Sequence, residues 1–389
     1  MLRFLTAGES HGPGLLAILE GLPGGMQLAE IDLQPDMARR QVGYGVGPRM
    51  KSIEQDEARI VSGVLAGVTI GSPIGLHIEN HDHATWQGQQ VAAMTVPRPG
   101  HADLTAALKY GYSELRFGLE RASARETAAR VAVGAVCRKL LAEFNIVVGS
   151  YVAEIGSAVA DLDGLSYEQR FAAAETSDVR CPTDEGSQAM KDEIRAVMQA
   201  KDTLGGIFEV VALNVPAGLG SHVHWDRRLG ARVAAAMMSI HAMKGVEIGH
   251  GFQNARKLGT EIHDEFEISD GLISRPTNNA GGLEGGITTG GPLVARVAMK
   301  PISTTLTPLK SVDLATGKAA KTEYERSDFC SVPRAAVVGE AMLCFVLAEA
   351  LLEKLGGDSV REMRRRFEEL PHGQIDDLEI ASDSSIFWE

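Results

Sequence analysis

The stretch ERASARETAARVAVGAVCRKLLAEF, residues 120–144, reads as a helix with one buried face. Ala129, Val133, Val136, Cys137, Leu140 and Phe144 recur every three or four positions, which lines them along one side of a helix. Ser123 and Glu126 stand in the S-x-x-E order of a capping box, which predicts the helix over 123–144. An apolar stripe of that length has to be covered by another layer. Arg121 and Arg125 mark its N-terminus. Working outward, the same signals predict helices at 32–41, 103–110, 186–201, 226–244 with Gly245 as the stop, and 333–355 ended by Gly356 and Gly357. Strand-like runs fall at 60–65, 74–78, 146–155, 207–215 and 293–299. Helices and strands are interleaved, so the expected class is α+β or mixed α/β. There is no fixed repeat and no low-complexity linker, which points to one large domain over residues 1–357. Residues 358–389 are expected to form an exposed helix at 361–369 and a mobile tail. Residues 158–182, polar and poorly periodic, read as a surface excursion.

The bulk composition narrows the functional classes. With 389 residues, 44% of them hydrophobic, the chain can bury a large core. A net charge of −13 argues against a nucleic-acid binder, which needs a basic face to displace counterions, but allows a local basic pocket. Cys137, Cys181, Cys330 and Cys344 form no CxxC pair, which fits buried free thiols in a reducing cytoplasm. The first 25 residues are interrupted by Glu9 and His11 and do not resemble a signal peptide. The most apolar stretch, 335–352, contains Glu340 and Glu349 and reads as a core helix, not a membrane span.

The chemistry is concentrated in short polar segments: GESHG (8–12), RPGHAD (98–103), RASARET (121–127), the glycine-rich run 278–291, KPIST (300–304) and RSDFC (326–330). Such segments suit a polar site built from loops on a rigid scaffold. His11, between Ser10 and Gly12, can donate a proton to a leaving phosphate near neutral pH; a turn histidine is the alternative. His101 precedes a helix whose expected N-cap is Asp103, where anions are attracted and where a capping role is equally open. Two arginines, Ser123 and free amides at one helix start make an anion site, unless the arginines are merely solvated. Arg39, Arg40, Arg49, Lys51 and Arg59 add basic charge around GYGVG (43–47). In 278–291, six of fourteen residues are glycine, which lets main-chain amides approach a flat or phosphorylated cofactor. The strand after it delivers Lys300, Ser303 and Thr304. An ordinary P-loop is excluded, because G-x-x-x-x-G-K-[ST] does not occur. Asp328 stands between Arg326 and Cys330 as a structural ion-pair partner or as a base. The pairs His81/His83 and His222/His224 share one strand face by spacing but have no third ligand, so no metal site is expected.

On ESHG (9–12), RPGHAD (98–103), ERASARET (120–127), GVEIGHGF (245–252), NNAGGLEGG (278–286), KPIST (300–304) and RSDFCSVPRA (326–335), the chain resembles the chorismate synthase family over nearly its whole length. The resemblance implies a carbon–oxygen lyase of the shikimate pathway. That enzyme removes phosphate and a ring hydrogen from 5-enolpyruvylshikimate 3-phosphate by anti-1,4-elimination and requires reduced FMN without net redox change. It further implies a β-α-β sandwich assembled as a homotetramer. By position, His11 matches the proton donor to the departing phosphate, His101 the histidine acting on the reduced flavin, and Asp328 the aspartate assisting proton removal through flavin N5. FMN contacts are implied for Arg121, Ala122, Ser123, His241, Ala242, Gly285, Lys300, Pro301, Ile302, Ser303, Thr304 and Arg326. Substrate or NADPH anion contacts are implied for Ser10, Arg40, Arg49 and Arg125. NADPH is the expected ultimate reductant, through a separate reductase. One departure stands out: Val46 occupies a position where the family often has an arginine used in anion binding, with Arg49 nearby. Two other readings compete. PAGLGS (216–221) resembles the phosphate loop of small-molecule kinases related to galactokinase and homoserine kinase, and the glycine and Lys300 segments alone would also suit a non-catalytic flavin binder.

Overall fold

The computed structural model describes residues 1–45, 56–323, 328–380 and 382. Two antiparallel sheets enclose a layer of helices. The first sheet has the order Arg3–Ala7, Gly14–Glu20, Ile74–Glu79, Ala58–Ser62. Its strand Gly14–Glu20 alternates, with Leu15, Ala17 and Leu19 buried while Leu16 and Ile18 face outward, as a half-covered antiparallel sheet requires. The second sheet runs Met243–Ile248, Leu293–Met299, Gly206–Leu213, Val147–Ile155, Ala158–Val159.

Between them lie Glu30–Gln41, Thr127–Ala142, Leu229–Met238 and Val332–Leu355. Thr127–Ala142 packs on the first sheet and on Val332–Leu355, which in turn covers the second. A helix covered on both sides must be apolar nearly all round, which accounts for the composition of Val332–Leu355. It is long and apolar enough to cross a membrane, yet most of it is buried inside the protein. Close approach of these helices depends on glycine. A Cβ at Gly134 would stand 2.3 Å from the Ala341 Cβ, and one at Gly339 would meet the Phe208 ring at 2.7 Å.

The core also holds charge. Glu340, fully buried, accepts hydrogen bonds from Arg39, Arg138, Arg180 and Ser150, so one carboxylate joins two other helices, a sheet strand and the loop that carries Arg180.

Several expectations are corrected. The helix expected from 123 begins at Thr127, after a 3₁₀ turn at Ala124–Glu126. The Ser123 hydroxyl accepts from the Arg125 amide, and the Glu126 carboxylate turns to the Thr6 hydroxyl (2.6 Å) and Arg130 (2.8 Å). A partly buried charge-assisted pair therefore displaces the capping box. The helix expected over 226–244 covers only Leu229–Met238, and Met243–Ile248 pairs as a strand. Ala242, at φ +67°, breaks the helical path there. The excursion at 158–182 contains the helix Tyr167–Thr176, opened by a Ser166/Gln169 capping box. The C-terminal helix Val360–Glu368 is not wholly exposed: Val360 and Met363 are buried, and the Phe367 ring lies 5.1 Å from that of Phe144.

Candidate active site

His11 lies on the loop joining the first two strands of the first sheet. Its backbone N–H donates to Glu120 Oε2 (2.8 Å) and its ring Nδ1 pairs with Glu120 Oε1 (2.7 Å). Burial pushes the Glu120 carboxyl up, but the bonds from His11 outweigh it and hold the group below the ordinary glutamate value. Asn80 donates to the carbonyls of Ser10 and Gly12, His83 Nδ1 meets the His11 carbonyl, and the Trp86 ring covers the imidazole at 4.3 Å. His83 is therefore a turn and helix-start residue, not one of a pair on a strand face.

Arg121 follows Glu120 at the end of the helix Arg116–Ala122 and donates to the carbonyls of Thr6 and Gly8. Ser10 donates to the Ser123 hydroxyl at 3.1 Å. Beneath this point Asp56 accepts from Arg40 (3.0 Å) and Arg125 (2.5 Å), all three side chains buried. Arg40 also donates to Thr127 and the Ala124 carbonyl. Burial raises the Asp56 carboxyl, and the two guanidiniums more than reverse it. Arg40 and Arg125 are thus a paired, buried base under the Ser123 turn, not solvated surface charges.

His101 is held differently. Asp103 is not the N-cap of Asp103–Tyr110; Ala102 occupies that place. The Asp103 carboxylate, fully buried, turns back to accept from the Arg98 amide, Nε and Nη2 and to meet His101 Nδ1 at 2.5 Å. Its carboxyl, raised by burial, is pulled far below the ordinary aspartate value by His101 and Arg98. Arg98 also donates to the Thr304 hydroxyl. Lys300 then joins three segments, its Nζ donating to the Gly100 carbonyl (2.7 Å) and its amide to the Ala242 carbonyl (3.0 Å). Thr203 donates to the Ile302 carbonyl, and a Cβ at Gly100 would lie 3.5 Å from the Ser303 Cβ.

His241 adjoins this group. Burial lowers the pKa of its imidazole against the pull of Glu126, and the charges of Arg130, His101 and Arg121 lower it further. Its buried Nδ1 has no hydrogen-bond partner among the described residues. Asp328 pairs with Arg334 and accepts from Ser331 (3.0 Å). The adjoining Phe329 carbonyl accepts from the Leu204 amide, next to the Thr203 that holds Ile302.

The loops carrying His101, His241, Ala242 and Lys300 to Thr304 are therefore brought together, and Ser10, His11, Arg121, Ser123, Arg40 and Arg125 form the adjoining group. Gly285 is not in either. It sits in the turn of a hairpin near His222, and the next residue, Gly286, lies against Arg228 and accepts the Leu229 amide. That places Gly285 at one end of a ten-residue helix with His241 beyond the other, about 15 Å along its axis. Val46, Arg49, Lys51 and Arg326 lie outside the described residues. The kinase-like loop is closed to phosphate at its amides: Gly218, Leu219 and Ser221 donate to Thr288, Thr288 and Arg227. Sequence reasoning missed Glu120, Asp56 and Arg98, although each stands inside or beside a quoted motif or basic stretch.

Fold and site together define an α+β protein whose polar loops hold histidines and guanidiniums in two adjoining groups on one scaffold. A family model described as chorismate synthase matches residues 2–352. The chain is 54% identical to the chorismate synthase of Aquifex aeolicus, covering 95% of this chain and 97% of that protein, and 50% identical to that of Geobacter sulfurreducens, covering 95% and 98%. A solved structure described as chorismate synthase superposes with a TM-score of 0.78 at 48% identity, covering 95% of this chain and 96% of that one. The chain belongs to the chorismate synthase family. It is accordingly a carbon–oxygen lyase of aromatic biosynthesis, acts on a small molecule and is of a kind consistent with a flavin cofactor.

Proposed function

We propose that the chain converts 5-enolpyruvylshikimate 3-phosphate to chorismate with reduced FMN bound against the Lys300 to Thr304 segment. The observation that carries this reading is Lys300, hydrogen-bonded at once to Gly100 and Ala242, so that three distant loops share one polar centre. The residues present fit a flavin, because the buried His241 Nδ1 is an acceptor or donor left for a ligand and Gly100, at φ +80°, keeps the backbone bare beside Lys300. Arg121, Ala122, Ser123, His241, Ala242 and Lys300 to Thr304 would hold it, with Arg326 and Gly285 implied by the family alone. A bound reduced flavin supplies transient electron density, needed because a carboxylate of pKa about 4 cannot remove an unactivated ring hydrogen.

His11 gives its proton to the departing phosphate, and the buried Arg40 and Arg125 set a positive field under the Ser10 and Ser123 hydroxyls that receive the anion. His101, locked by Asp103 and Arg98, holds a fixed hydrogen-bonding edge beside Lys300. Asp328, oriented by Arg334 and Ser331, assists the proton removal without taking the ring hydrogen unaided. NADPH as ultimate reductant through a separate reductase, a homotetramer and a cytoplasmic setting belong to the same proposal; four buried free cysteines support the last. Anaerobic incubation with the substrate and chemically reduced FMN tests it: chorismate and phosphate appear together in equal amounts. Folded protein that releases neither overturns it.

A further inference from the structure

We infer that Glu120 is the positioning residue of the elimination, fixing His11 as the Nδ1–H tautomer so that the proton exchanged with substrate is carried on Nε2. This rests on the role proposed above for His11. The geometry is specific in three respects. Both carboxylate oxygens of Glu120 are committed to one residue, one to the His11 amide (2.8 Å) and one to ring Nδ1 (2.7 Å), so the main chain and the ring are held by the same group. An ionised carboxylate can only accept, so the nitrogen facing it carries the hydrogen. The His11 main-chain N–H can only donate, so Glu120 Oε2 accepts there, as expected of a carboxyl in its ordinary ionised form at neutral pH. Finally, the imidazole is confined by the Trp86 ring at 4.3 Å, and Trp86 is itself anchored through Nε1 to Asp82 (3.2 Å). A ring fixed in this way delivers its proton along one direction, which is the orientational part of a general acid's efficiency.

Glu120 lies at the end of the short helix Arg116–Ala122, 109 residues from His11 in sequence, and its backbone carbonyl also accepts from the Ser10 amide (3.0 Å). The residue is thus bonded to the loop from side chain and main chain, and only the side-chain part is altered by substitution.

Two measurements test this. In solid-state ¹⁵N NMR of protein labelled at histidine nitrogens, with the His11 signals identified by their loss in His11→Gln, neutral His11 in the wild type shows the Nδ1–H pattern. Glu120→Gln gives a mixture or the Nε2–H pattern. A wild-type Nε2–H pattern overturns the inference without any variant being needed. In steady-state assays with excess reduced FMN, Glu120→Gln lowers kcat about tenfold to a hundredfold while KM for the phosphorylated substrate changes less than about twofold. Glu120→Asp, which keeps the charge, recovers part of the loss. If His11→Ala is inactive but Glu120→Gln turns over at the wild-type rate, Glu120 does not position the acid. If His11→Ala is itself fully active, the role of His11 fails instead.

Discussion

Replacing Glu340 by glutamine keeps the volume of the side chain and removes one charge from the middle of the helix layer. In the wild type Arg39, Arg138 and Arg180 face Glu340, Asp36 and Glu175, so the cluster is neutral; the variant leaves one guanidinium charge in excess. Burial alone would raise the Glu340 carboxyl, yet the guanidiniums of Arg39, Arg138 and Arg180 hold it at about 2 against an ordinary 4.5. At about 1.4 kcal/mol per pH unit, that difference corresponds to about 3 kcal/mol. The figure agrees with the roughly 3–5 kcal/mol lost when one partner of a buried pair is removed. Urea unfolding followed by circular dichroism should therefore give a lower midpoint with the slope unchanged. The pH dependence fixes the sign. A carboxyl depressed in the folded state stabilises fully above its unfolded value of 4.5 and loses that contribution as pH falls toward about 2. The gap between wild type and Glu340→Gln is thus widest near neutral pH and closes through that window. A gap below about 1 kcal/mol at neutral pH, the size of an ordinary substitution, or one that does not narrow in acid, refutes the reasoning.

Gly134→Ala forces a Cβ to within 2.3 Å of the Ala341 Cβ and 2.8 Å of its carbonyl oxygen. Overpacking costs about 1–3 kcal/mol against a helix-propensity gain of about 1 kcal/mol. Thermal unfolding should show a net loss, relieved in part by Ala341→Gly in the same chain. His11→Ala and His101→Ala should each lower turnover by about 10² to 10⁴ with the far-ultraviolet spectrum intact; near-normal rates in both would remove their assigned roles. Val46→Arg, outside the described residues, restores the arginine the family often has there and should lower the Michaelis constant for the substrate or for NADPH; an unchanged or higher value counts against an anion-binding role for that position.

Local pattern revealed the elements whose periodicity is unambiguous. The 127–142 helix has a 3.6-residue apolar repeat, the 332–355 helix is an apolar run too long for a strand, and the strands at 74–79 and 293–299 are short apolar runs between turn residues. The boundary near residue 240 was not legible, because Met243 and Val246 stand three apart as on a helix while Val246 and Ile248 stand two apart as on a strand, and only the turn at Ala242 separates helix from strand. The histidines stood out because glycine and proline flank them. Their partners did not: the bonds from His11 to Glu120 and from Arg125 to Asp56 span 109 and 69 residues, and no spacing rule relates such positions. Asp103, two residues from His101, was visible but misassigned, since a helix-start aspartate usually caps and here a buried arginine claims it.

The two histidines are mounted on different layers, and this makes the helix layer between them more than a support. His11 hangs on a loop of the first sheet and is bonded to the helix Arg116–Ala122. His101 is tied through Arg98 to Thr304 and through Gly100 to Lys300, immediately beyond the second-sheet strand Leu293–Met299. No hydrogen bond among those described joins the two imidazoles directly, so their separation is set by how the sheets are spaced across Thr127–Ala142 and Val332–Leu355. That spacing is fixed at the Gly134 crossing and by Glu340, whose arginine partners sit on Glu30–Gln41, on Thr127–Ala142 and on the loop before Asp184–Ala200. A shift of even 1 Å in placement is enough to lower the rate of a proton transfer substantially. Substitutions at Gly134 or Glu340 that leave the chain folded should therefore reduce kcat more than they raise KM, although neither residue touches the site.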